Sequence, residues 1–85
     1  MINFNNIKKG DYLLYNDYIY KLIWLGEITH ISTNFDNKNI YLKCIYSNAK
    51  DPYNEYILNN EFDKQFWTIP SEQQLNYYLK LKVFE

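Results

Sequence analysis

Between Asp11 and Ser32 the chain reads as strand, tight turn and long strand. Tyr12 to Tyr15 and Tyr18 to Leu25 are runs of aromatic and branched residues. Asn16 and Asp17 between them are residue types that readily visit the left-handed conformation of a two-residue hairpin. Such a turn pairs Tyr15 with Tyr18, Leu14 with Ile19, Leu13 with Tyr20 and Tyr12 with Lys21. Alternation then places Leu13, Tyr15, Tyr18, Tyr20, Leu22 and Trp24 on one face, and Tyr12, Leu14, Ile19, Lys21, Ile23 and Leu25 on the other. Both faces are more apolar than a one-sided sheet requires. The second face therefore needs a cover, from the C-terminal helix or the N-terminal segment, or it offers a patch to a partner. Gly26 interrupts the second strand before it continues to Ser32. A bulge or bend is expected there, with a backbone conformation that residues bearing a Cβ tolerate poorly.

Downstream, Thr33 to Asn39 is a polar loop carrying Phe35, and Ile40 to Tyr46 alternates cleanly, which directs Ile40, Leu42, Cys44 and Tyr46 to the core. Ser47 to Asn54 has loop composition, Glu55 to Leu58 reads as a short strand, and Asn59 to Asp63 turns the chain. Gln65 to Ile69 reads as a last strand, with Trp67 and Ile69 on one face and Phe66 and Thr68 on the other. Pro70 ends it. Ser71, Glu72 and Gln74 then form a helix start: Ser71 caps, Gln74 occupies the capping-box position and Glu72 complements the helix dipole. A helix from about Ser71 to Leu81 shows Leu75, Tyr78 and Leu79 on one face, although Leu79, Leu81 and Val83 also alternate with lysines as a strand would. At the other end Ile2, Phe4 and Ile7 cover one end of the core, and Lys8, Lys9 and Gly10 turn into the first strand. The predicted architecture is a single domain over residues 1–85, mainly β (α+β): a small, bent antiparallel sheet, or one curled into a small barrel at the Gly26 bend, with one C-terminal helix.

Composition sharpens this picture. A chain of 85 residues buries only roughly 60 to 65% of its unfolded surface, so its core must be efficient. Seventeen aromatics, ten of them Tyr, against a single Ala and a single Val supply that efficiency. The formal net charge of −1 gives no long-range attraction to nucleic acid or an anionic membrane. No Arg is present to supply a planar phosphate fork; since Ile, Lys, Asn, Tyr and Phe make up more than half the chain, AT-rich coding accounts for that equally well. Cys44 stands alone, no signal-like segment opens the chain, and its apolar runs are far too short to span a bilayer. These features predict a cytoplasmic protein without a membrane segment.

Chemistry is sparse. His30 and Cys44 fall on strands expected to be neighbours, the minimum of a thiolate nucleophile, but Cys44 shares its face with Ile40 and Leu42 and is expected to be a buried core cysteine. Asp36-Asn37-Lys38-Asn39 lacks the later Gly and Glu of a calcium loop, and one His with one Cys cannot close a zinc site. No phosphate loop or dinucleotide fingerprint is present. The sequence predicts no catalytic residue, metal or cofactor, and no enzyme.

Lys8-Lys9-Gly10-Asp11-Tyr12-Leu13, followed by a hairpin and then Gly26-Glu27-Ile28, resembles the opening of SH3-like small β-barrels over about a third of the chain. The ending Thr68-Ile69-Pro70-Ser71-Glu72-Gln73 resembles a strand-to-helix junction of short proteins encoded by phages and prophages of AT-rich bacteria. The first resemblance implies a barrel-like fold and the second an accessory protein in a host cytoplasm. Neither implies an activity.

The aromatic surplus carries most of the functional content, because Tyr-rich surfaces suit protein recognition. The expected function is a non-catalytic protein-binding module engaging a host or virion protein, with Tyr53, Tyr56, Phe66, Tyr12 and Lys21 as candidate contact residues. The alternatives are single-stranded nucleic-acid binding, which needs several of Lys8, Lys9, Lys21, Lys43, Lys80 and Lys82 beside exposed rings, and self-assembly, in the simplest case a homodimer.

Overall fold

The computed structural model describes residues 6–34, 37–59 and 66–83. Within them, β1 (Tyr12–Asp17), β2 (Leu22–Asn34), β3 (Asn37–Ser47), β4 (Glu55–Leu58) and β5 (Trp67–Thr68) form one sheet ordered β4-β3-β2-β1-β5, followed by helix α1 (Glu72–Val83). All four pairings are antiparallel. The sheet is bent but not closed, with β4 and β5 as its outer strands.

The predicted lead-in holds where it is described. Gly10, with φ +96°, sits third in the Lys8–Asp11 turn, which is closed by Asp11 N–H donating to the Lys8 carbonyl at 3.0 Å and Lys8 N–H to Asp11 Oδ2 at 3.0 Å. Ile7 is buried in the core, while Ile2 and Phe4 lie outside the described residues.

The β1–β2 hairpin corrects the expected turn. The last cross-strand pair is Asp17 with Leu22, so Tyr18 to Lys21 form a four-residue tip in place of a two-residue turn at Asn16-Asp17. The Asp17 carboxylate sets that tip: Oδ1 accepts from the backbone N–H of Ile19 at 2.9 Å and of Tyr20 at 3.2 Å, and Lys21 takes the left-handed φ of 55°. Tyr15 therefore faces Trp24 instead of Tyr18. The register moves by an even number of residues, so the division of the strand residues between two faces survives.

One face is the core. Leu13, Trp24, Ile28, Ile40, Leu42, Leu58 and Trp67 are buried there together, with Tyr15, Ile31, Cys44 and Tyr56 packed against them. Two register shifts bend β2 against β3, one between Leu25 and Gly26, the other between Ile28 and His30. The bend expected at Gly26 is thus present, but Gly26 has no positive φ. Space is the reason for the glycine: a Cβ there would lie within clashing distance of Trp24 Cζ3, 3.0 Å from Cη2 and 3.2 Å from Leu42 Cβ. The first shift also takes up Ile45 as an extra residue, since Gly26 pairs with Cys44 and Leu25 with Tyr46. Tyr46 consequently leaves the core face on which alternation alone places it. Cys44 stays on that face but is only partly buried, short of the full burial expected.

The opposite face carries Leu14 and Leu25, paired with each other and fully buried. Helix α1 is the element packed there, over β3, with Tyr78 stacked on the displaced Tyr46 at 5.6 Å between ring centroids. Burial, then the neighbouring Tyr77, Tyr46 and Tyr18, holds the Tyr78 phenol above its ordinary titration range. The capping box forms as predicted: Gln74 N–H donates to Ser71 Oγ at 3.1 Å and Ser71 N–H to Gln74 Oε1 at 2.9 Å. The helix runs to Val83, past the expected end at Leu81, and so resolves the competing strand period. Ser71→Ala is expected to lower stability by about 1 kcal/mol, read as a fall in the thermal midpoint, while Ser71→Asp retains most of it.

Three expected strands change length in the second half of the sheet. The polar loop expected at Thr33 to Asn39 is largely strand, with β2 and β3 paired out to Asn34 and Asn37; Phe35 lies outside the described residues. The last strand shrinks to Trp67–Thr68, leaving Ile69 exposed and not sharing the burial of Trp67, and Gln65 outside the described residues.

Candidate functional site: an aromatic hollow on the core face

At the hairpin end of the core face, rings from distant parts of the chain surround a hollow of about 310 Å³ open to solvent, lined by Tyr15, Leu22, Trp24, Tyr53, Tyr56, Phe66 and Trp67. Strand register builds its floor. Tyr15 on β1 lies opposite Trp24 on β2 and, across its other edge, opposite Trp67 on β5, so three rings form a row across the sheet. Tyr56 arrives from β4, whose pairing with Leu42 turns the ring to the core face. It lies 5.5 Å from Trp67 and 6.3 Å from Trp24 between centroids, while Trp24 and Trp67 meet edge to face at 5.6 Å.

The rim is different in character. Trp24 and Trp67 are 7% and 5% exposed, whereas Tyr53 and Phe66 are 74% and 47% exposed. Tyr53 belongs to the β3–β4 loop and is fixed there through its backbone: its carbonyl accepts the indole N–H of Trp24 at 2.9 Å. The same loop is tied down at its start, where the Asn48 side chain donates to the Lys21 carbonyl at 2.7 Å and accepts from Ile23 N–H at 2.9 Å. The floor is thus buried core and the rim is ring surface facing water. A volume near 300 Å³ sits at the lower end of the range for ligand and side-chain pockets.

Among the described residues no carboxylate, lysine or histidine lines the hollow; its described lining is six rings and one leucine. The contacts among Tyr15, Trp24, Tyr56 and Trp67 are tilted by 37° to 84°, so these four rings do not stack face to face. What it can do is desolvate an apolar side chain from a partner.

The sequence-predicted contact residues divide. Tyr53, Tyr56 and Phe66 are brought together here. Tyr12 is not, since its position on β1 opposite Glu27 turns it to the helix face. Lys21 is not, since it closes the exposed hairpin tip. Sequence reasoning missed Tyr15, Leu22, Trp24 and Trp67 as site residues. Alternation places the first three on one face of the hairpin and carries no sign that the core opens at one end.

Elsewhere the chemistry is thin. His30 pairs with Tyr41 across β2 and β3, its ring 5.4 Å from the tyrosine, whereas Cys44 pairs with Gly26 on the core face, so His30 and Cys44 stand on opposite faces of neighbouring strands. Among the described residues no three His, Cys, Asp or Glu side chains are placed to hold a metal ion, and no helix is long and apolar enough to cross a membrane. Lys43 makes an exposed ion pair with Glu27 at 3.8 Å, of a kind that contributes little to stability. No family model, curated protein or solved structure matches this chain, so the hollow is read from its own geometry.

Proposed function

We propose that this protein is a non-catalytic module that binds another protein by taking an apolar side chain of the partner into the aromatic hollow. The observation that carries the reading is the convergence of six rings from β1, β2, the β3–β4 loop, β4, β5 and the residue before β5 on one solvent-open hollow with a buried floor. Such an arrangement meets the requirements of a binding hot spot: Trp and Tyr side chains, a pre-formed pocket and a rim that excludes water. Residue usage typical of AT-rich coding and the phage-like strand-to-helix ending support an accessory role in a phage or mobile element, in the cytoplasm, with a host or virion protein as partner.

The nucleic-acid alternative is less favoured because no lysine among the described residues lines the hollow. Affinity capture with nuclease treatment, followed by a binary titration of the captured protein, tests the proposal. Tyr53→Ala and Phe66→Ala should each weaken binding by about 1 kcal/mol or more, with little response to salt. Binding to single-stranded DNA that falls steeply as salt rises and vanishes when Lys8 and Lys9 are replaced would favour the alternative instead.

A further inference from the structure

The hairpin tip is the most exposed apolar feature among the described residues. Tyr18, Ile19 and Tyr20 are 83%, 85% and 82% exposed, three consecutive large side chains with no charge among them. A flexible loop would hide part of that surface. Here the Asp17 carboxylate holds the Ile19 and Tyr20 amides and Lys21 supplies the left-handed residue, so the tip is displayed in a set shape. It borders the aromatic hollow, because Leu22, the residue after the tip and the partner of Asp17, is part of the hollow's lining. None of the tip residues enters that hollow in its own chain.

The tip lies at the same end of the sheet as the hollow, and the matching chemistry of protrusion and concavity lets the tip of one copy complement the hollow of another. A two-fold axis passing beside the tip lets each copy insert its protrusion into the other's concavity, and the contact closes at two. We propose that the protein forms such a dimer, with Ile19 of each copy seated in the partner copy's hollow and Tyr18 and Tyr20 resting on its rim at Tyr53 and Phe66.

The area is sufficient. Tyrosine side chains offer roughly 150 to 250 Å² each and Ile19 somewhat less. Two tips and the two linings facing them then remove on the order of 1,200 Å² from water, the size at which specific interfaces become stable. Electrostatics does not oppose association, since copies of net charge −1 repel weakly. The dimer rests on the same hollow that is proposed to take a side chain of a foreign protein. A partner and a second copy would compete for one hollow, so the dimer is the form that stands in the partner's absence.

Sedimentation of the full chain over a wide concentration range tests it, with no partner present. The expected result is a monomer–dimer equilibrium that Ile19→Leu preserves. Ile19→Asp and Phe66→Glu should each weaken it about tenfold or more. An equimolar mixture of the two variants should associate more tightly than either alone, because one intact tip meets one intact hollow, and should stop at one of each. Near-UV circular dichroism of each variant confirms its fold; if Phe66→Glu fails to fold, Tyr53→Glu takes its place at the more exposed rim position. A wild-type chain that stays monomeric, a dimer indifferent to Ile19→Asp, a mixture no tighter than its components, or assembly that continues past two copies would each overturn the proposal. A monomeric outcome would leave the binding of a foreign protein untouched, which the rim variants test separately.

Discussion

Replacing Trp24 by alanine is expected to destabilise the protein by about 3 to 5 kcal/mol, measured as a fall in the urea midpoint. The ring is almost fully buried and lies within 5.6 Å of Trp67 and 6.3 Å of Tyr56, so its removal empties the centre of the core face and strips two other rings of a neighbour. A domain of 85 residues has a total stability of only roughly 4 to 13 kcal/mol, so this one substitution should take the protein close to unfolding at room temperature. The indole hydrogen bond is the smaller part of the loss, because the Tyr53 carbonyl sits in an exposed loop and can turn to water. Tyr53→Ala keeps that carbonyl and removes a ring already three-quarters exposed. Its stability should change by less than about 0.5 kcal/mol even though partner binding falls, and this contrast separates the floor of the hollow from its rim.

The next largest effect is expected at Gly26. Gly26→Val should cost about 1 to 3 kcal/mol through overcrowding, since the new Cβ and its methyls would occupy space held by the Trp24 ring and the Leu42 Cβ. A double-mutant cycle identifies the cause. If the ring is responsible, Gly26→Ala should be costly in the wild-type background and nearly free beside Trp24→Ala, with a coupling above about 0.5 kcal/mol. Equal penalties in both backgrounds would return the explanation to the local backbone.

The features legible in the sequence are those set by neighbours a few residues apart. The capping box spans Ser71 to Gln74 and depends on nothing else, so it is read correctly and in atomic detail. Which of Leu13, Leu14, Trp24 and Leu25 share a face follows from period two, and it survived a wrong turn because only parity matters. The turn itself was misread because Asn16-Asp17 suits a two-residue loop, while the Asp17 side chain was free to organise the residues after it instead. Tyr46 was misplaced for a non-local reason: the extra residue at Ile45 exists to keep β3 in register with a bent β2, and β3 alone gives no sign of it. The hollow is harder still. Tyr15 and Trp67 meet only because the chain, after crossing β2, β3 and β4, returns to the free edge of β1. Among the predicted contacts, Tyr53, Tyr56 and Phe66 were found through their ring chemistry, whereas Tyr12 and Lys21 were assigned from a face that α1 proved to occupy.

The composition of that floor has a practical consequence. The chain contains two tryptophans, Trp24 and Trp67, and both line the hollow with their indoles edge to face at 5.6 Å. Essentially all the ultraviolet emission excited at the red edge of absorbance therefore originates at one place. Both indoles are already nearly shielded from water, so an occupant of the hollow should alter that emission through the groups it brings against them, and more than one that lands elsewhere. The protein carries its own optical label at the point of interest, so a partner, a second copy or a small apolar probe can be followed without attaching a dye.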